Sequence, residues 1–316
     1  MGENKSPAVV FPGQGSQRPG MGKDFYEQIP VCRATFEEAA DALGWDVSAM
    51  CFGEDERLNL TEYTQPCIVT TEISMLRGLA ERYGFSPEYF GGHSLGEFTA
   101  LVAAGVMPLT DTVRIVQARG RLMQEAVPIG VGGMAAVISE GIDIDMLGRL
   151  MEGLNAGVAN INSANQVVIS GELPAIDETE KRLTQNFPEG KSFRFIKLNV
   201  SAPFHSSLMK TIESRFADTL EKFGQHINAQ MASRVTSNFT GGFHANDVGE
   251  VKKNLVNQIS NTVNWRENMK ALAGKAREIY EVGPGRPLRD FFKTVGVPCQ
   301  SITGFSAAEK IFKTTD

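Results

Sequence analysis

The chain has 316 residues, of which 42% are apolar and 22% charged, and it carries a net charge of −6. This is enough apolar surface for a sizeable core, built as about two domains or as one large domain with an insert. The acidic balance argues against binding to nucleic acid or to an anionic membrane. No basic segment followed by an apolar one opens the chain and no apolar run approaches 18 residues, so neither secretion nor a membrane span is expected. Cys32, Cys51, Cys67 and Cys299 are widely separated and form no C-x-x-C pair. They read as reduced core residues of a cytoplasmic protein.

Ala8-Val9-Val10-Phe11 predicts a short, fully buried strand that ends in Pro12-Gly13-Gln14-Gly15-Ser16-Gln17. A phosphate-cradling loop is the rival reading. No lysine stands at the spacing a P-loop needs, and Arg18 takes the place of the third glycine of a dinucleotide fingerprint. What remains is a turn that presents Gln14 and its amides to a site. Helices are predicted at 31–43 and 66–83, with Gly84 as the C-cap.

Tyr89-Phe90 then meets Gly91-Gly92-His93-Ser94-Leu95-Gly96, and an alanine-rich helix, 98–104, follows. A serine between glycines at a strand-to-helix turn is the nucleophile-elbow pattern, with the hydroxyl held at the positive end of a helix. The alternative is a tight turn with an exposed serine, so the motif needs partners elsewhere. Helix 110–125 is predicted with Thr110 as its N-cap. On it, Ile115, Val116, Arg119, Leu122 and Met123 form one core-facing stripe. A guanidinium on an apolar stripe needs an anion, either a structural carboxylate or a substrate carboxylate.

From Gly130 the texture changes. Strand 133–139, helix 144–154, strands 157–162 and 166–171, helix 174–187 and strand 193–198 give the β-α-β-β-α-β order of a ferredoxin-like unit. Lying between stretches of longer helices, it reads as an inserted subdomain. Ser201 to Ser207 then forms a turn into helix 208–222. Of the four histidines, His93 abuts the serine, and His226 and His244 lie in polar, turn-like surroundings; none has metal-ligand spacing. His205 is the best-placed base, against the plainer reading of a surface histidine at a helix start. Helix 248–259 carries Gln258, and strand 278–282 closes at Gly283-Pro284-Gly285. Helices alternating with short buried strands predict a parallel α/β core.

These parts fit acyl transfer. Ser94 is the expected nucleophile and His205 its base. The amide of Leu95 is the first oxyanion donor, and the Gln14 loop the second. No aspartate or glutamate has an evident place as a third triad member, so a carbonyl is expected to orient the imidazole. Arg119 would clamp a second carboxylate, selecting a dicarboxylic acyl chain.

At this point the chain resembles the family of malonyl-CoA:acyl carrier protein transacylases, together with the acyltransferase domains of polyketide synthases. The resemblance rests on Phe11 to Gln17, Gly92-His93-Ser94-Leu95-Gly96-Glu97, Gln117-Ala118-Arg119-Gly120-Arg121, Pro203-Phe204-His205 and Glu281 to Gly285. These segments stand in the family's order and span about residues 8–300. The resemblance implies an α/β-hydrolase-like core with a parallel sheet, residues 1–127 and 201–316, and a ferredoxin-like small subdomain at 128–200. It implies that Ser94 and His205 are catalytic, that Gln14 and Leu95 form the oxyanion hole, and that Gln258 orients His205, through its backbone carbonyl. Arg119, Gln258, His93, Phe204 and Asn162 are then the substrate-binding set, Phe204 favouring malonyl over branched extenders. The implied activity is ping-pong malonyl transfer from coenzyme A to the phosphopantetheine thiol of an acyl carrier protein, through a malonyl-serine. A stand-alone acyltransferase of polyketide synthesis and a thioester hydrolase using the same pair are the alternatives, and a non-catalytic carrier-protein binding module is a third. No metal or resident cofactor is expected, and a monomer is. Lys181, Arg182, Lys191 and Arg194 are the candidate docking patch for an acidic carrier, against an ordinary solvated face.

Overall fold

Ala8-Val9-Val10-Phe11 offers no side chain that favours water, and it forms β1 (Ala8–Phe11) inside a parallel sheet, buried at every position. The computed structural model describes residues 6–188, 190, 192–200 and 202–313. Helices α1 (Lys23–Gln28), α2 (Pro30–Leu43), α3 (Val47–Phe52) and α4 (Thr61–Tyr83) lead to β2 (Tyr89–Gly92). The serine turn and α5 (Gly96–Ala103) follow, then α6 (Leu109–Glu125).

A second sheet begins at β3 (Gly132–Ile138) and continues through α7 (Ile144–Leu150), β4 (Ala156–Ile161), β5 (Gln166–Glu172), α8 (Leu173–Asn186) and β6 (Arg194–Leu198). The chain returns through α9 (Glu213–Phe223), α10 (Val248–Gln258) and α11 (Trp265–Lys275) to β7 (Ile279–Val282). It closes with α12 (Arg289–Phe292), β8 (Cys299–Ile302) and α13 (Phe305–Phe312).

The first sheet has strand order β2-β1-β7-β8, with parallel pairing throughout. Period-two alternation splits β1 between two cores. Val9 and Phe11 pack with α2, α4, α5 and α6, while Ala8 and Val10 face Trp265, Met269, Leu272 and Phe292. The second sheet is antiparallel, order β4-β5-β3-β6. There Ala135, Val137, Val167 and Ile169 pack on Leu147, Ile176 and Leu183 of α7 and α8. Met134, Ala136 and Val168 face the other way, toward Phe204. Main-chain bonds join β4 to the segment that leads into α11: Ile161 N–H donates to Val263 O at 3.0 Å and Val263 N–H to Ala159 O at 2.8 Å.

Several boundaries differ from the sequence reading. α4 starts at Thr61 and contains Pro66, because the Thr64 hydroxyl anchors the first turn on Leu58 O and Leu60 O. The missing proline N–H gives up one helical bond there. Pro108, not Thr110, caps α6, and Thr112 holds its carbonyl at 2.8 Å. α7 ends at Leu150, before Gly153 turns left-handed at φ 76°. Helix 208–222 opens as a 3₁₀ turn, Ser207–Ile212, and Ser206 donates back to Pro203 O instead of capping it.

Candidate active site

The chain leaves β2 into a space with no room for side chains. A Cβ on Gly92 would stand 1.9 Å from the Gly96 carbonyl carbon, and one on Gly96 would stand 2.1 Å from Phe11 O. Only glycine permits that approach. Between them Ser94 sits at φ 53°, a left-handed backbone that a residue with a Cβ adopts at a cost of about 1–3 kcal/mol. That strain lifts the hydroxyl to the head of α5. The Ser94 N–H is occupied by Asn238 Oδ1 at 2.6 Å. The amides of Leu95 and Gln14 have no acceptor among the described residues. Gly13 packs on His93 O and toward Leu95 N, which brings the Gln14 loop beside the turn. The Gln14 side chain donates to Thr61 Oγ1 at 3.1 Å.

His205 also has a left-handed backbone, φ 56°, at the start of the segment following Pro203. Its Nδ1 lies 2.7 Å from Gln258 O and its Nε2 2.7 Å from Ser94 Oγ. A carbonyl only accepts, so Nδ1 carries the proton and Nε2 is free to accept from the serine hydroxyl. The imidazole is buried, with burial the main cause and the Arg119 cation the second in pulling its pKa down to about 3, against the upward pull of Gln258 O. It is therefore neutral at physiological pH, the state a general base requires.

Arg119 is 1% exposed. Nη1 donates to Gln65 Oε1 at 3.0 Å, and Nη2 to Gln258 Oε1 at 2.9 Å and to Ser94 Oγ at 3.3 Å. Nε has no partner among the described residues, and none of their carboxylates pairs with the guanidinium. Of the two partners open to it from sequence, the structural carboxylate is thus absent from its contacts. Burial lowers the guanidinium pKa, with Glu97 pushing the other way. Only neutral oxygens, two from amides and one from the serine hydroxyl, meet its Nη atoms.

The cleft above Ser94 holds about 760 Å³. Gln14, His93, Leu95 and Phe204 line one side, and Met134, Ala136, Val168, Ile196 and Leu198 of the second sheet line the other. His93 is drawn to that sheet by its Nε2, 2.8 Å from Asn162 Oδ1, while Asn162 Nδ2 donates to Gln166 Oε1. Burial depresses the His93 pKa, the Asn162 contact opposing it.

Other residues take different roles. His244 is buried, not in a polar turn, with Nε2 2.9 Å from Glu97 Oε1. His226 meets Asp111 at 2.7 Å. In the basic patch, Arg182 holds Leu150 O and Glu152 O and pairs with Glu178, as Lys181 does at 3.8 Å. Arg194 is exposed on β6, and Lys191 and Ser201 lie outside the described residues.

Four contributors were missed in the sequence: Gln65, Glu97, Asn238 and His244. Glu97 carried a signal, since it stands three residues after Ser94 in the first turn of α5. Gln65 sits ahead of Pro66, where the sequence reads as a helix start. Asn238 reaches the turn only because Val235 bridges Phe90 and Thr236 donates to Phe90 O at 3.0 Å, laying that segment along β2.

Residues 8–284 match the family described as acyl transferase domain. Malonyl CoA-acyl carrier protein transacylase of Bacillus subtilis (strain 168) is 36% identical over 296 residues, 91% of this chain and 90% of that protein. The protein of that name from Escherichia coli (strain K12) is 38% identical over 294 residues, 91% of this chain and 92% of its own. Among solved structures, the transacylase of Clostridium perfringens superposes with a TM-score of 0.89 at 32% identity, covering 98% of this chain and 96% of that one. A malonyl-transacylase solved with a type II polyketide acyl carrier protein gives 0.89 at 33% identity, covering 98% and 100%.

Proposed function

The chain belongs to the acyl transferase domain family, and from that premise we propose that it moves a malonyl group from coenzyme A to the phosphopantetheine thiol of an acyl carrier protein. The observation that carries this reading is Arg119, a buried cation without a carboxylate partner, 3.3 Å from the nucleophile. A general hydrolase has no use for that charge in its acyl pocket, whereas a malonyl thioester brings the missing carboxylate.

Ser94 Oγ attacks the thioester carbonyl as its proton passes to His205 Nε2. The oxyanion is received by the free amides of Leu95 and Gln14, each donor contributing about 3–4 kcal/mol in such sites. Collapse breaks the C–S bond, and the leaving thiolate takes the proton from Nε2. Malonyl-Ser94 then waits for the carrier thiol, which enters through the same steps in reverse. The pantetheine arm common to both substrates fits the apolar wall of Met134, Ala136, Val168, Ile196 and Leu198. Phe204, at the cleft beside His205, narrows the space next to the acyl α-carbon and so favours malonyl over branched groups. His93 and Asn162 tie the serine turn to the opposite wall.

We assign 1–127 and 201–316 to the catalytic subdomain and 128–200 to an inserted ferredoxin-like one. The split of the strands into two sheets supports this. No helix among the described residues is long and apolar enough to cross a membrane. We place the reaction in the cytoplasm with a monomeric enzyme, the free thiols of Cys32, Cys51, Cys67 and Cys299 favouring a reducing compartment.

The test is mass spectrometry of the Ser94 peptide after incubation with malonyl-CoA. A malonyl adduct that disappears on adding carrier protein, with more transfer than hydrolysis, is expected. Absence of the adduct, or hydrolysis exceeding transfer, would remove the reading.

A further inference from the structure

We propose that Glu97 is the positioning carboxylate of this site, setting Ser94, His205 and Arg119 through Gln258 and Asn238 without touching the acyl group. The inference rests on the transferase reading above and deepens it. Glu97 is fully buried, and its three bonds come from α10 and from the segment that precedes it. His244 meets Oε1 at 2.9 Å, while Asn238 N–H and Gln258 Nε2 donate to Oε2 at 3.0 and 2.7 Å. Asn254 Nδ2 lies 3.4 Å from His244 Nδ1, which leaves Nε2 as the donor to the carboxylate.

Two of the three donors, Gln258 and Asn238, are also tied to the catalytic machinery. A side-chain amide has two ends, and a carboxylate accepts only the N–H end. Glu97 therefore dictates which way Gln258 points. Nε2 faces Glu97 and Ser94 O, and Oε1 faces Arg119 at 2.9 Å. The reverse orientation would set N–H groups against a guanidinium and an oxygen against a carboxylate. The backbone carbonyl of the same residue holds His205 Nδ1. Asn238, fixed at its N–H by Glu97, accepts the Ser94 N–H at 2.6 Å and donates to Gly92 O at 2.7 Å. That pins the left-handed serine and reserves the Leu95 amide for the oxyanion.

During acylation His205 becomes an imidazolium beside Arg119. Glu97, across the Gln258 amide, is the buried anion nearest in the bonding network to offset two cations. The acid absent from the usual triad position is present one residue removed.

The experiment is rapid-quench labelling of Ser94 by malonyl-CoA in the full-length protein, comparing wild type with Glu97→Gln across substrate concentrations. The saturating acylation rate is expected to fall about 10–100-fold. The half-saturating concentration should stay within about threefold and the labelled fraction should stay near that of wild type. An unchanged rate per labelled site, with only a lower melting temperature or labelled fraction, would overturn the proposal, since that is what a purely structural role gives. If Glu97→Gln does not fold, His244→Leu removes one donor from the carboxylate and leaves Ser94, His205 and Gln258 in place. It should slow acylation about 3–10-fold, and His244→Gln, which restores an N–H of similar reach, should recover most of the loss. Equal rates for His244→Leu and wild type would also overturn it. Absence of any adduct in wild type would instead count against the transferase reading.

Discussion

Arg119 and His205 have opposite electrostatic needs in the same buried space. The guanidinium has no carboxylate partner among the described residues, so on the proposed reading its removal should hurt one substrate far more than another. Arg119→Ala is expected to cut Ser94 acylation by malonyl-CoA about 100–1,000-fold, the scale of a desolvated charge pair, and to leave acetyl-CoA labelling within about threefold. Parallel loss of both would mean that the residue supports the fold and not the acyl carboxylate. His205 is held neutral, its pKa lowered to about 3 from an ordinary value near 6.5. The acylation rate should therefore persist below pH 6, where an unperturbed histidine base would already be protonated. Stability has the other dependence. Between about pH 6.5 and 3 the unfolded chain binds a proton that the folded chain refuses, so stability falls as pH falls through that window. An acylation profile that halves near pH 6.5 would contradict the burial seen here.

At the scale of elements, the β2–α5 junction is a packing solution before it is a catalytic one. Gly92→Ala places a methyl 1.9 Å from backbone and should destabilise by at least about 3 kcal/mol, read as a lower melting temperature and lost labelling. Gly105→Ala is the matched comparison. Its φ is 74° but nothing lies within 4 Å of the added carbon, so only the backbone preference is lost, about 1 kcal/mol. Similar losses for the two would mean that the close approach at Gly92 relaxes cheaply. The stripe on α6 shows how a helix period becomes chemistry: Ile115, Val116, Leu122 and Met123 bury that face and carry Arg119 in with them. The arginine's burial follows from its neighbours' periodicity, and it was readable without coordinates.

For the whole molecule, the second sheet is held by a main-chain seam between β4 and the segment that leads into α11. The seam is main-chain bonding of Ala159 and Ile161 to Val263, reinforced by Thr262 Oγ1 on Val158 O at 2.6 Å. If the seam is a fixed edge, the amides of Ile161 and Val263 should exchange as slowly as those of β1. Exchange at loop rates would show that β4 parts from that segment. The residues of the candidate site are gathered from both sides of β3–β6 in sequence: Ser94 and Arg119 precede those strands, and His205, Asn238 and Gln258 follow.

The sequence by itself determined the local and periodic features. A four-residue apolar run made a buried strand, glycines flanking Ser94 allowed a sharp turn, and a helical stripe buried Arg119. Proline and glycine punctuation placed most element boundaries within a few residues. Those are short-range consequences of sterics and amphipathicity, and they travel with the residues. Which polar groups meet was decided only by the tertiary structure. That Gln258 spans Arg119, Glu97, Ser94 and His205 depends on partners between 53 and 164 residues away, a matter of packing that no period or cap encodes. Glu97 entered the sequence reading only as the end of the Gly92–Glu97 segment, and burial against His244, Asn238 and Gln258 gave it a part of its own. A buried charge is defined by what surrounds it, and the surroundings are assembled from the whole chain.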